Sequence, residues 1–192
     1  MDDKQIKELM LQSLEHEKGG VLVYEAALKC ARNKELLEEW KRYHSETEEH
    51  VRILVGACEA LGLNPEEQTP GRSIVRGIGN SLVAAMEKAL AAGDPSAAEI
   101  VACECVVFAE TKDHLDWQLI GEIAKNGRKE LMEAYEEVED QEDEHLYHTK
   151  GWCRELWLNA LGLPAVLPPP EEEKQVKTAM GQARAESERK TH

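Results

Sequence analysis

Glutamate and histidine side chains interrupt the apolar positions of four segments that otherwise have the pattern of amphipathic helices. The interruption falls near the middle of each segment. Its residues are Glu17 in the first, His44, Thr47 and His50 in the second, Glu110 and His114 in the third, and Glu142 and His145 in the fourth. A charged or imidazole side chain at a core position is costly unless it is paired or bound to a metal. These residues therefore predict either a buried metal site or a set of buried ion pairs.

The spacing Glu142-x-x-His145 is typical of a metal site inside a helical bundle. Residues three apart lie on one helix face, so a carboxylate oxygen and an imidazole nitrogen reach the same point from adjacent turns. Iron and manganese accept such a mixed set of oxygen and nitrogen ligands. His50 also follows Glu17 at nearly the same separation as His145 follows Glu110, which indicates that two halves of the chain repeat one plan.

The position of this motif matters more than its spacing. The chain has 38 acidic residues and seven histidines, so the spacing alone arises by chance on solvated faces. Placement on an apolar stripe, with counterparts on three other helices, favours a metal site. His44 and His114 are weaker candidates, because a histidine on a core face is more often hydrogen-bonded to a carboxylate than bound to metal.

The elements that position these residues are predicted to be two long helical hairpins joined by a long crossover. Recurrence of apolar residues at three and four predicts the helices, and Asn, Asp, Gly and Pro mark their ends. The predicted segments are Lys4 to Ala31, Asn33 to Gly62, an extra helix from Ile74 to Leu90 within the crossover, Asp94-Pro95 to Asn126-Gly127, and Leu131 to Leu161. Residues 1–163 are expected to form one bundle domain, and residues 164–192 a charged tail that includes Pro168 to Pro170.

Composition supports this all-α class and limits the partners. The 192 residues are 42% hydrophobic, enough for one substantial core, and β-branched residues are few. A net charge of −15 disfavours nucleic acid and anionic membranes and is compatible with cations. The chain has five cysteines without a Cys-x-x-Cys pair, a charged N-terminus and no long apolar run, so we expect a cytoplasmic protein.

From Leu9 to Trp157, the arrangement resembles the ferritin-like superfamily of four-helix bundles. In that superfamily the first and third helices each supply a glutamate, and the second and fourth each supply Glu-x-x-His. Within it, the chain is similar to the bacterial stress-induced proteins of the YciE and YciF type. The segments that carry this similarity run from Glu17 to Leu54 and include Leu36-Leu37, Trp40, His44-Ser45-Glu46-Thr47 and Val51-Arg52-Ile53-Leu54.

The resemblance implies a di-iron site, with manganese or another divalent metal as alternatives. It implies that Glu17, His50, Glu110, Glu142 and His145 occupy ligand positions. It further implies reaction of the metal with O2 or peroxide, of oxidase or peroxidase type, in iron handling or in the response to oxidative and general stress.

Thr47 departs from the superfamily pattern, because it stands where the second-helix motif places its glutamate. Glu46 is the candidate substitute, since a long carboxylate on a neighbouring position can lean inward. The departure leaves three forms of the site open: an asymmetric two-metal centre, a single-metal site, or a site that has lost its metal.

The main alternative is a metal-free bundle that acts through interactions, with a degenerate metal site. Its buried groups would be ion pairs such as Glu17 with His50 and Glu142 with His114. In either case, extra apolar positions on the long helices predict a homodimer or a higher homo-oligomer.

Overall fold

A computed structural model describes residues 1–164 of the chain, which contain five α-helices, a 3-10 turn and no strand. The predicted all-α class is therefore confirmed for this part of the chain. The helices are α1 (Asp3–Cys30), α2 (Lys34–Ala60), α3 (Pro70–Ala91), α4 (Pro95–Lys125) and α5 (Met132–Ala160), and the turn spans Lys129–Leu131. Of the helices in residues 1–164, none has an apolar stretch long enough to cross a membrane.

Side-chain caps begin the first four helices. Asp2, Asn33, Thr69 and Asp94 each accept hydrogen bonds from backbone amides of the following turn. Such caps satisfy amide groups that have no partner within the helix. The starts predicted at Asn33 and at Asp94-Pro95 are confirmed.

The short connection between α1 and α2 makes these helices an antiparallel hairpin, and a buried glutamate holds the connection. Glu99 of α4 accepts from the backbone amides of Arg32 at 2.6 Å and of Asn33 at 2.7 Å. The bonds fix the start of α2 to α4, so the hairpin and the third long helix are joined at this end.

The crossover helix α3 is longer than predicted and packs on α1 and α4. A Cβ on Gly79 of α3 would lie 3.6 Å from the Cα of Gly19 on α1, so the two backbones pass close to each other there. Glycine removes the side chain that would separate the helices. A neighbouring helix therefore approaches α1 closely at Gly19.

A buried arginine anchors the start of α3. The guanidinium of Arg72, 1% exposed, donates to Glu15 Oε2 from Nε at 3.0 Å and from Nη2 at 2.8 Å. Its Nη1 donates to the carbonyls of Pro65 at 2.6 Å and Glu67 at 2.8 Å. Burial alone would raise the pKa of Glu15, but hydrogen bonds from Arg76 and Arg72 hold that pKa below its usual range. Arg72 thus ties the crossover to α1.

An apolar core fills the bundle on one side of the polar residues that interrupt the stripes. Its buried members come from α1, α2, α4, α5 and the turn before α5, and they include Ile6, Met10, Leu14, Leu54, Cys58, Trp117, Ile120, Leu131 and Val138. All five cysteines are free thiols, and four of them are buried, as expected for residues that act as small apolar filler.

The described chain separates into two compact units. The first, Met1–Cys153, contains α1 to α4 and most of α5. The second begins at Arg154 and is described only to residue 164. The predicted tail, residues 164–192, lies almost wholly outside the described residues, so its boundary stays a prediction. The predicted homo-oligomer and cytoplasmic location also stay predictions.

We expect Gly121→Ala to destabilise the protein, although alanine is the better helix former. A Cβ on Gly121 of α4 would lie well inside van der Waals contact of the Tyr135 ring on α5, and that ring is buried. Overpacking of this kind costs about 1–3 kcal/mol. Urea unfolding of the variant would measure the loss.

Gly77→Ala is the matched control, because nothing lies within 4 Å of its added Cβ. This substitution should stabilise α3 by about 0.5–1 kcal/mol. Equal effects of the two substitutions would contradict the prediction.

Candidate metal centre

Two groups of three potential ligands meet inside the bundle, and they share one glutamate. The first is Glu17, His50 and Glu142, and the second is Glu110, Glu142 and His145. Within each group, one ligand atom per residue lies within 4.8 Å of the others. α1, α2 and α4 each supply one of these residues and α5 supplies two, so all four long helices position the site.

In the first group, a histidine of α2 lies between carboxylates of α1 and α5. His50 Nδ1 is 3.5 Å from Glu17 Oε1 and 2.9 Å from Glu142 Oε1. Glu17 Oε1 also accepts a hydrogen bond of 2.7 Å from Trp117 Nε1, which fixes the orientation of that carboxylate. The Glu17–His50 pair expected from the sequence is therefore present.

In the second group, the histidine of the Glu142-x-x-His145 motif faces α4. His145 Nδ1 is 3.6 Å from Glu110 Oε2 and 3.6 Å from Glu142 Oε1. The His50 and His145 rings lie nearly parallel, at 24°, with their centroids 5.7 Å apart. Both imidazoles thus present Nδ1 to the same oxygen, Oε1, of Glu142, the carboxylate that the two groups share.

The site is closed to solvent, and many of its polar atoms have no hydrogen-bond partner. His50, His145 and Glu17 are 0% exposed, Glu142 is 1% exposed and Glu110 is 3% exposed. Among the buried atoms of residues 1–164 without a hydrogen-bond partner, six belong to the two groups: Glu17 Oε2, His50 Nδ1, Glu110 Oε2, both carboxylate oxygens of Glu142, and His145 Nδ1. Buried polar atoms are nearly always hydrogen-bonded. A concentration of such atoms in one place is compatible with a site that holds cations.

The outer nitrogen of each histidine is held by a hydrogen bond. His50 Nε2 donates to Gln141 Oε1 at 2.7 Å, and His145 Nε2 donates to Glu46 Oε2 at 2.8 Å. A proton held on Nε2 leaves the lone pair of Nδ1 for a metal, the usual arrangement around histidine ligands. The orientation of both rings therefore suits metal binding through Nδ1.

Glu46 occupies a supporting position and is not part of either group. Its second oxygen accepts from Arg42 Nη1 at 3.3 Å, on the outer side of the His145 ring. The sequence suggested Glu46 as a ligand in place of the glutamate that Thr47 lacks. The structure places its carboxylate on the outer nitrogen of His145, from where it orients the ring.

The electrostatics show how the groups balance charge without an ion. Burial alone would lower the pKa of His50, but the Glu17 and Glu142 carboxylates raise it to about 11. Glu110 and Glu46 likewise raise the pKa of His145 to about 9 against the effect of burial. Burial, with Glu110 and Glu17 nearby, raises the pKa of Glu142 to about 7. Within residues 1–164, histidines and no lysine or arginine form the ion pairs of Glu17, Glu110 and Glu142.

Three further residues at the site were not singled out as functional in the sequence. Tyr24, fully buried, has a hydroxyl without a hydrogen-bond partner among the described residues, and burial together with Glu110 raises its pKa well above the usual value. Gln141 orients His50, and Asp113 of α4 is a buried acid beside the two groups. Tyr24 looks like ordinary apolar filler in the sequence. Asp113 lies in a run of polar residues where the helical period is hard to read.

Thr47 leaves the α2 side of the site without a carboxylate. Its hydroxyl donates to the backbone carbonyl of Tyr43 at 2.9 Å, so it is satisfied within its own helix. Its methyl group would lie 3.2 Å from a Cβ on Gly20, which shows that α1 and α2 are close here. Thr47 supplies no ligand atom to either group, and each group still contains two carboxylates and one imidazole. The three forms of the site that the sequence left open stay predictions.

The two weaker histidine candidates lie outside both groups. His114 Nε2 is 2.6 Å from Asp143 Oδ1, while the histidines that contact Glu142 are His50 and His145. His44 lies within about 4 Å of the exposed carboxylates of Glu25 and Glu48. A hydrogen bond to a neighbouring carboxylate, the alternative given for both residues, is observed for His114. His44 Nε2 has no hydrogen-bond partner among residues 1–164.

A third group of potential metal ligands lies nearer the surface and consists of Glu39, Glu144 and His148. Its atoms are already engaged by protein. Glu39 accepts from His148, the Tyr43 hydroxyl and the Trp152 indole, and Glu144 accepts from Arg42. A metal there would displace these donors, so this group is better understood as a hydrogen-bonded network around the Tyr43 ring. That ring in turn packs on His145, with centroids 4.2 Å apart.

Compared with protein-family models, curated proteins and solved structures, the chain gives no match. Its function is therefore argued from the site.

Proposed function

We propose that this chain is a ferritin-like metal-binding protein that holds two divalent metal ions, iron first among them, at the buried centre. The observation that carries the proposal is the set of buried donor atoms without partners, arranged as two groups around Glu142. Carboxylates facing one another without a basic partner are costly, and a cation relieves that cost.

The donor set favours iron or manganese over other metals. Each group offers two carboxylates and one imidazole, a mixed oxygen and nitrogen set that these ions accept. Thiolates, which would favour zinc or copper(I), are absent from both groups. Within a bundle, glutamates and Glu-x-x-His motifs that project inward are the usual way of holding two such ions.

The protein's own residues would bind and orient the ions and exclude water. Glu142 would bridge, Glu17 with His50 would complete one side, and Glu110 with His145 the other. Gln141 and Glu46 would hold the imidazoles, as partners of ligating histidines usually do. Bound iron would supply one-electron chemistry with O2 or peroxide. We place this activity in iron handling or in the response to oxidative stress.

The experiment that tests the proposal is anaerobic loading of the chelator-treated full chain with ferrous iron, followed by desalting and elemental analysis. We expect about two irons per chain, as in di-iron bundles. Glu142→Gln should lose both, because its carboxylate serves both groups while the amide keeps the shape of the side chain.

Glu137→Gln is the matched control, since it makes the same change at an exposed glutamate of α5 and should keep the wild-type iron content. No retained iron or manganese in the wild-type chain would refute the proposal and favour the alternative, a metal-free interaction bundle. That alternative draws support from the raised pKa values of His50 and His145, because two imidazolium groups would then balance the carboxylates.

A further inference from the structure

We infer that Asp113 is an additional ligand of the buried centre, supplying from α4 the carboxylate that Thr47 does not supply from α2. The inference rests on the proposed metal site and deepens it. It adds one carboxylate to those of the two groups, neither of which contains Asp113 in the metal-free arrangement.

Helix geometry places Asp113 between two contacts that mark the level of the site. Glu110, Asp113 and Trp117 fall at i, i+3 and i+7 and share one face of α4. At 1.5 Å per residue, Asp113 is about 4.5 Å along the axis from Glu110 and about 6 Å from Trp117. Glu110 approaches His145, and Trp117 donates to Glu17. Asp113 therefore lies at the level between the two groups and on the face of α4 that borders them.

The Asp113 side chain is buried, and one of its two carboxylate oxygens has no hydrogen-bond partner among residues 1–164. The residue is 3% exposed, and the oxygen without a partner is Oδ1. Asp116, one turn further along α4 and equally buried, is paired instead with Lys112, whose Nζ lies 2.5 Å from Asp116 Oδ2. A buried acid without a base is rare unless an ion or a proton balances it.

The charged groups that shift the pKa of Asp113 are carboxylates. Burial, and then Glu17, Glu142, Glu110 and Asp116, raise the pKa of the Asp113 carboxyl well above its usual range. Acids gathered at this density around two inward-facing imidazole nitrogens form the environment that a divalent cation stabilises.

The α2 side of the site explains why α4 would supply the Asp113 carboxylate as a ligand. Thr47 carries no carboxylate, its hydroxyl is engaged with the carbonyl of Tyr43, and its methyl group lies against Gly20. α2 therefore offers His50 alone to the metal groups. Asp113 supplies from α4 a carboxylate at the level of the centre in place of the one that α2 lacks.

The test compares Asp113→Asn with Asp116→Asn in the full chain, using manganese(II) titration followed by the electron paramagnetic resonance signal of the free ion. We expect the wild type and Asp116→Asn to bind two ions. In Asp113→Asn, one of the two should bind at least about tenfold more weakly, as the loss of groups around a metal typically gives. Thermal unfolding of the metal-free proteins supplies a second readout, in which Asp113→Asn should melt above the wild type because a carboxyl among carboxylates has been removed.

The outcomes separate this inference from the proposed function. Two ions bound by Asp113→Asn with wild-type affinity would overturn the role of Asp113 and leave the two-metal site standing. No manganese or ferrous ion bound by the wild type would overturn both. Asp113→Ser provides the same comparison if the asparagine variant does not fold, and its circular dichroism spectrum checks that the helices are intact.

Discussion

Metal-free protein is expected to gain about 4 kcal/mol of unfolding free energy for each ion it binds, at a free metal concentration about 1,000 times the dissociation constant. For a chain of this size, that gain corresponds to a rise of about 8–16 °C in Tm per ion. The physical reason is that each ion binds the folded site and neutralises buried carboxylates whose ion pairs are with histidines and not with lysine or arginine. Calorimetry of the chelator-treated chain, with and without manganese(II), measures the shift.

Variants in the two halves of the centre should divide this stabilisation. Glu17→Gln is expected to lose most of the gain from one ion, Glu110→Gln most of the gain from the other, and Glu142→Gln both, because Glu142 is common to the two groups. Glu137→Gln, on the exposed face of α5, should keep the full wild-type shift. A shift of equal size in Glu142→Gln and in the wild type would mean that manganese acts on the acidic surface, and would contradict the prediction.

The helices were predictable because local chemistry marks their ends. Asn33 and Asp94 act as the expected caps, and Pro95 occupies the first turn of α4. α3 was predicted to begin at Ile74 but begins at Pro70, with Thr69 as its cap. The missed turn contains Gly71 and Arg72, residues that an apolar pattern does not mark. The Thr69 cap and Pro70 begin this turn as Asp94 and Pro95 begin α4, and the contacts of Arg72 with Glu15 of α1 add to it.

The ligand candidates were predictable because they break an apolar stripe, and five of the six residues suggested as ligands meet in the two groups. Glu46 is the sixth. Its neighbour Thr47 faces the interior and is 2% exposed, so Glu46 is rotated outward and reaches only the outer nitrogen of His145. Helical spacing alone cannot distinguish these two positions, since a rotation of the helix by a fraction of a turn exchanges them.

Asp113 could not be recognised in the same way. It lies in the run Thr111-Lys112-Asp113-His114, where every residue is polar and the inward direction of α4 is not apparent. Only the packing of α4 against α1 and α5 shows that Asp113 faces the site while Thr111 faces solvent. Residues that break a stripe are visible from the sequence, whereas residues inside a polar run need the fold to orient them.

Arg72→Ala is expected to lower the free energy of unfolding of the metal-free protein by about 3–5 kcal/mol, the cost of removing one partner of a buried ion pair. Arg72 is 1% exposed and satisfies both Glu15 and the carbonyls of Pro65 and Glu67. Its loss leaves these acceptors buried and removes the tie between the crossover and α1. Urea unfolding, followed by circular dichroism, measures the change.

Arg76→Ala is the matched control, because it removes a second arginine from the same Glu15 carboxylate. The Arg76 side chain is 47% exposed, so water can replace it, and such surface pairs contribute little to stability. A loss in Arg72→Ala no larger than that in Arg76→Ala would show that the buried contacts do not stabilise the crossover. Glu15 lies two positions before Glu17 on α1. If the Arg72 contacts also hold α1 in register with the centre, the Arg72→Ala variant should bind manganese(II) more weakly.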